Sequence, residues 1–260
     1  MTIASSKVST CLLVAIGGFW LVIGNAKAGN QTSDCALSVG AIIAASADAR
    51  GKEALAKVTA LRVKSKHYEG KWNPDFDYRV MKPGFMLMTA TYSDGVVITE
   101  GFDGTRAWED LERNPEPVYV EGDAYRGLAQ GAHSPIFLYG LHDMEGMGAT
   151  VSKAGCEVVD STNYFLVRVV ASFGSDIVYY VNSGSFLVER ARANRALHPT
   201  LDETQINIEE RWSDFRRVDG ILYPFGYSQW DVEKGERLSY LEVKSVELDF
   251  SATPDLFAKP

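Results

Sequence analysis

Phe85-Met86-Leu87-Met88-Thr89-Ala90-Thr91, the tetrapeptide Tyr92-Ser93-Asp94-Gly95, Val96-Val97-Ile98-Thr99-Glu100-Gly101-Phe102, then Asp103-Gly104 leading into Thr105-Arg106-Ala107-Trp108-Glu109 is the run that decides the fold. Three β-rich pieces are separated by Asp-Gly dipeptides, residues that tolerate the positive φ of a tight hairpin turn. Pro83-Gly84 marks a further turn just before it. Consecutive strands joined this tightly pair antiparallel, because a parallel crossover needs a dozen or more residues.

The same pattern extends outward. Upstream, Leu61, Val63 and Ser65 alternate with Arg62, Lys64 and Lys66, as on a half-buried strand. Downstream, Val118–Val120 reads as a short strand. After a gap, strands are expected at Val151–Val159, Tyr164–Ala171, Ile177–Val181, Phe186–Arg192, Thr204–Val218, Ile221–Asp231 and Leu238–Phe250, with turns such as Asn182-Ser183-Gly184 and Asp219-Gly220. Two stretches break the alternation. Ser38–Val58 reads as helix, interrupted near Arg50-Gly51. Asp123–Met144 reads as one or two short helices divided at Ser134-Pro135, with apolar residues on more than one side. Ten or so sequential antiparallel strands with so few helices predict an α+β chain: a strongly curved sheet, a half-barrel, with the helices covering its concave face.

Of the 260 residues, 46% are apolar, 11% aromatic and 23% charged, which excludes a disordered or low-complexity chain. The net charge is −8, and becomes −10 without residues 1–28, which hold Lys7 and Lys27 and no acid. Binding phosphates needs a clustered positive field. None is visible, so no nucleic-acid partner is expected. Residues 1–28 read as an export signal: Lys7, the apolar stretch Cys11–Gly24, and small residues at Ala26-Lys27-Ala28 before a cleavage point at Gly29. Fourteen apolar residues rise only about 21 Å as a helix, short of the roughly 30 Å hydrocarbon core. Residues 29–260 are expected to form a single domain.

Cleavage removes Cys11 and leaves Cys35 and Cys156. In an oxidising compartment two cysteines make one disulfide or remain separate thiols, and the sequence leaves both open. Neither cysteine lies in a Cys-x-x-Cys or Cys/His cluster, so no metal site is expected on them. The four histidines, His67, His133, His142 and His198, include no pair at i, i+4 and no His-Glu-x-x-His motif. There is no Gly-x-Ser-x-Gly elbow, and Asn182-Ser183-Gly184-Ser185 is better read as a turn than as a nucleophile site. Glu209-Glu210 and Asp110–Glu112 read as solvated edges. No reaction and no cofactor is expected. Large apolar side chains, by contrast, are plentiful. An open barrel lined with them leaves a concavity larger than they fill, and Phe85, Leu87, Trp108, Leu138, Leu141, Trp212, Trp230 and Tyr240 are the candidate cavity lining.

The order of these motifs carries a resemblance. Lys82-Pro83-x-Phe85, the Asp94-Gly95 turn and Phe102-Asp103-Gly104-Thr105-Arg106-Ala107-Trp108 resemble the periplasmic outer-membrane lipoprotein carrier family (LolA-like). Tyr179-Tyr180-Val181-Asn182, Phe186-Leu187-Val188-Glu189-Arg190 and Asp214–Pro224, with its Val218-Asp219-Gly220 turn, are similar to the broader lipoprotein-sorting relatives. So are Val246-Glu247-Leu248-Asp249, Phe257-Ala258-Lys259-Pro260 and the helical Arg50–Leu55. The resemblance covers roughly residues 38–260 and implies a half-barrel with a helical lid over a cavity for acyl chains. It further implies a periplasmic location, lipid or lipoprotein acyl chains as partners, and contacts with envelope membrane proteins. In the carriers a basic residue before the proline holds the lid backbone. Lys82 stands there in place of arginine and lacks its planar fork. Two functions follow as expectations: a non-catalytic periplasmic carrier, or an envelope sensor or assembly module that uses the same fold as a protein-interaction surface.

Overall fold

A computed structural model describes residues 34–111 and 114–260; the expected signal segment 1–28 lies outside them. Two meanders make the structure. The first runs β1 (Ala60–Tyr68), β2 (Asp75–Met81), β3 (Phe85–Thr91), β4 (Val97–Phe102), β5 (Ala107–Asp110) and β6 (Val118–Val120). The second runs β7 (Thr150–Val159), β8 (Thr162–Val170), β9 (Asp176–Asn182), β10 (Val188–His198), β11 (Asp202–Val218), β12 (Ile221–Asp231) and β13 (Glu236–Leu248). The first strand then pairs with the last, Leu61 opposite Leu248 and Tyr68 opposite Tyr240. That one non-sequential pairing fuses both meanders into a thirteen-stranded antiparallel sheet with β6 and β7 at its two ends. The sheet is not closed. It is the expected curved half-barrel, and β2 is an addition to the strands read from sequence.

Helix α1 (Val39–Arg50) starts at Ser38, whose hydroxyl accepts from the Ala41 N–H at 3.2 Å, an N-cap. Ile42, Ser46, Ala47 and Arg50 are buried, one face of a 3.6-residue repeat. Gly51 ends it in the left-handed region at φ 95°, and a β-carbon there would lie 2.3 Å from the Gly220 carbonyl oxygen. Only glycine satisfies both demands, so the α1 terminus docks on the β11–β12 turn. A one-turn helix α2 (Lys52–Leu55) follows. Ahead of α1, Cys35 is bonded to Cys156 on β7, with Cα atoms 6.0 Å apart. Lys153 Nζ donates to the Cys35 and Leu37 carbonyls of the same segment.

The third helix, α3 (Gly122–His133), joins β6 to the rest of the chain. It buries Ala124, Leu128, Ala129 and Ala132 against β3, β4, β5 and β10. The main core lies between the helices and the concave face: Ile42, Leu55, Leu61, Val80, Phe102, Val167, Val181, Trp212, Ile221 and Tyr223 belong to it. A fully buried aliphatic or aromatic side chain contributes about 1.5–3 kcal/mol, so this layer fixes the curvature.

The opposite, convex face is handled in two ways. Under β3 to β5 it is apolar, and residues Phe250–Phe257 fold back over it. Across β8 to β12 it is ionic. Glu209, only 1% exposed, receives Arg190, Arg192 and Arg211 at 2.9, 2.6 and 2.5 Å. Burial pushes its carboxyl up, but Arg192 and Arg211 more than offset this and hold it below its ordinary range. Glu209 is therefore no solvated edge. Its neighbour Glu210 points to the other face, where Arg195 and the Tyr227 hydroxyl bond to it at 2.9 and 3.0 Å.

Candidate functional site

The segment from α3 through Met147 is the part of the fold that covers the concave face, and its attachments set what can happen beneath it. Tyr78 on β2 donates to the Gly131 carbonyl at 2.7 Å, and Gln130 donates to the Tyr179 hydroxyl on β9 at 3.0 Å. The helix is thus tied to both meanders. His133 accommodates its ring over Gly84: a β-carbon at Gly84 would sit 2.4 Å from Nε2. The Nδ1 of His133 pairs with the Ala129 carbonyl at 2.8 Å, and the ring lies near Phe102, Tyr139 and Phe173.

Between Ser134 and Gly140, ahead of two short 3-10 turns at Leu141–Asp143 and Glu145–Met147, the chain forms no helix or strand, and Arg50 bonds its carbonyls. The guanidinium donates to the Pro135 and Tyr139 carbonyls through Nη1 and to the Phe137 carbonyl at 2.7 Å through Nη2. Arg50 is the last residue of α1 and is 4% exposed. Burial lowers its pKa to about 10, so it stays charged at neutral pH. One planar fork therefore gathers three carbonyls of the covering loop, a task a flexible ammonium does poorly. Lys82, expected from sequence to be the latch, instead donates to the Leu55 carbonyl of α2 at 3.3 Å and lies 5.7 Å from the Tyr139 ring. Arg50, not Lys82, bonds the loop carbonyls, and Lys82 braces the element beside it. The exchange follows from position: the end of α1, not the β2–β3 turn, faces the loop carbonyls.

A partly open cavity of about 260 Å³ is bounded by α3, the Met144–Ala149 exit and the β8–β9 turn; the loop carbonyls that Arg50 holds do not line it. Phe102, Tyr125, Met144, Met147, Val169 and Phe173 supply its apolar walls, with Gln130, His133 and Ser172 as the polar groups. None of the eight residues expected from sequence is among its lining. Leu138, Leu141 and Trp212 are in the main core close by. Phe85, Leu87 and Trp108 lie on the convex face in the second cluster, with Phe257 fully buried against them. The reason is the two-residue strand period. Met86 and Met88 of β3 and Ala107 of β5 belong to the main core, so Phe85, Leu87 and Trp108 face away. Trp230 bonds Ser228 at 2.9 Å beneath Arg211, and Tyr240 stacks on Tyr68 at 4.5 Å; both are outside the two clusters. The lining residues that sequence reading missed come largely from the Met144–Ala149 exit and the β8–β9 turn. Their signal was the Met144/Met147 pair in an otherwise glycine-rich stretch.

No family model matches the chain, and no curated protein is similar to it by sequence. Solved structures are. A LolA superfamily protein from Nitrosomonas europaea superimposes at TM-score 0.55 with 13% identity, covering 86% of this chain and 99% of that one. A DUF1329 family protein from Desulfovibrio piger does so at 0.55 and 13%, over 85% and 97%. An outer membrane lipoprotein-sorting protein domain from Vibrio parahaemolyticus gives 0.54 and 6%, over 84% and 94%. The chain shares its fold with these three proteins over 84–86% of its length.

Proposed function

We propose that this protein is a non-catalytic carrier, exported to the periplasm as residues 29–260, that shields lipid or lipoprotein acyl chains beneath the α3–Met147 lid. The observation that carries the proposal is the methionine- and aromatic-lined cavity, with Gln130, His133 and Ser172 among its walls, beside a segment held by discrete polar ties. Methionine side chains repack around irregular apolar guests. Each methylene moved from water into such a site contributes about 0.8 kcal/mol, so even half a fatty-acyl chain offsets the cost of ordering it. Lid opening then needs to cost only a few kcal/mol for cargo to shift the balance. Native purification followed by lipid mass spectrometry tests this. Co-purifying acyl lipid at near-stoichiometric amounts is the expected result; protein free of lipid even after expression in an envelope-forming host counts against it.

A second reading is favoured by one observation. The concave face is mostly filled by the protein's own side chains, and 260 Å³ falls below the roughly 300–1,000 Å³ of common small-molecule sites. On that reading the chain is an envelope sensor or assembly module that offers its surface to a protein. A stable protein partner with no retained lipid selects it.

A further inference from the structure

The hairpin formed by β10 and β11 outreaches its neighbours. Strand β9 pairs with β10 only as far as Arg192, and β12 pairs with β11 only from Ile208. Beyond those points residues 193–198 and 202–206 are paired with each other alone. The tip of this free end is exposed, Leu201 at 72%, but its flanks are tied back to the rest of the molecule. His198 reaches Glu69, at the end of β1, with Nε2 2.7 Å from Oε1. In the sheet β11, β12 and β13 separate β10 from β1, so the contact spans the concave side rather than running through the sheet. Gln205 bonds Asp123, at the first turn of α3, at 2.5 Å. Ala196, midway along the arm, is 2% exposed. The arm is therefore tied back across the concave side by a contact with the first meander and a contact with α3.

We propose that residues 193–206 form a pH-sensitive flap on the concave side, held tightly while protonated His198 grips Glu69 and loosened when His198 loses its proton. Glu69 is the shared acceptor of two histidines: His67 Nε2 lies 3.1 Å from its other oxygen, and the His67 ring is fixed by stacking on Phe76 at 4.8 Å. The groups that face His198 from each neighbouring element are Glu69 on the β1–β2 turn, Glu100 on β4 and Arg195 on its own strand. The bond to Glu69 raises the His198 pKa above its ordinary 6.5; Glu100 adds to this and Arg195 opposes it. His198 and His67 hold the Glu69 carboxyl down at about 2, so it is ionised throughout. Burial, together with Glu109 opposite it, pushes Glu100 up to about 7.

The sign follows. Below 6.5 His198 carries its charge and the clamp is complete. As pH rises through the elevated folded value the imidazole becomes neutral while Glu100 ionises, leaving Glu69 and Glu100 as two anions without the cation that joined them. A charge-assisted hydrogen bond is roughly twice as strong as a neutral one. The difference corresponds to about a five- to tenfold change in flap opening.

The test is hydrogen exchange by mass spectrometry on the disulfide-bonded protein at pH 5.5, 6.5, 7.5 and 8.5, corrected for the intrinsic chemical rate. Peptides spanning 194–206 should lose protection about five- to tenfold across this range, while peptides from β12 stay constant. In His198→Gln the flap should be weakly protected at every pH, with β12 unchanged; Glu69→Gln should do the same from the other side. Flap protection that does not vary with pH in the wild type, or that varies equally in His198→Gln, overturns the proposal. The readout needs no cargo, so it stands apart from the outcome of any lipid-binding experiment.

Discussion

Strands β3 to β5 are covered on both faces, and the two covers differ in kind. On the convex face the C-terminal residues Phe250–Phe257 lie in a dry cluster: Phe257 is fully buried, its ring 5.6 Å from that of Phe85, and its carbonyl accepts the Trp108 indole N–H at 2.9 Å. On the concave face α3 and the loop after it lie beside a cavity and are fastened by Tyr78, Gln130 and the Arg50 fork. A cover sealed by close packing loses many dispersion contacts at once if lifted. The concave cover also packs Leu128, Ile136, Leu138 and Leu141 into the core, but it borders a cavity and carries polar ties whose carbonyls find water when it opens. The first is a permanent cap. The second, bordered by a cavity and held by polar ties, is the proposed lid.

That contrast can be broken experimentally, beginning with the bridge that anchors the lid side. Reducing Cys35–Cys156, which closes a 121-residue separation, should cost about 4–5 kcal/mol in urea unfolding. Exchange should rise first in α1 and the 134–147 loop rather than in the C-terminal tail; equal loosening of both covers would erase the distinction. Phe257→Ala should lower stability by about 3–5 kcal/mol, as for buried aromatics elsewhere, and shift Trp108 emission to the red. It should leave acyl-probe uptake at the wild-type rate, since Phe257 is on the other face. Arg50→Met should cost about 2–3 kcal/mol, because hydrogen bonds to a charged group are lost. Its signature is local: exchange of loop 134–141 accelerates at least tenfold while residues 250–257 are unmoved. Because burial leaves the Arg50 pKa at about 10, the guanidinium stays charged and this latch should hold unchanged between pH 5 and 9. At the small end, Ser183→Ala, in the turn after β9, should stay within about 0.5 kcal/mol of wild type and alter neither cover.

How far the sequence carried the fold depends on how local each signal was. Strand β3 is bounded by Pro83-Gly84 and Asp94-Gly95, and β12 by Asp219-Gly220 and the Asp231 turn, so punctuation alone delimits them. The division of α1 from α2 at Gly51 was equally plain. Strand β2 alternates Phe76, Tyr78 and Val80 with Asp75, Asp77 and Arg79, but the hairpin ahead of it has no Asp-Gly signal to delimit it. The extension of β10 to His198 was hidden because residues 193–198 mix small and charged types, and their partner is β11 alone. The site was less legible than the fold. Period-two alternation shows which residues share a face but not which face is concave, and Phe85, Leu87 and Trp108 fell on the wrong one. Arg50 at the end of a helix looks like an ordinary C-terminal cation complementing the dipole. Only the arrival of a loop more than 80 residues later makes it a latch.

The central claim, that a lid held by Arg50 covers a cavity for acyl chains, is tested most directly by stopped-flow binding of a fluorescent fatty-acyl probe to wild type, Arg50→Met and Ser183→Ala. A lid predicts saturable binding by all three, with uptake by Arg50→Met at least tenfold faster and Ser183→Ala indistinguishable from wild type. No binding by any of them, or binding by wild type that the Arg50 substitution leaves at the same rate, contradicts it.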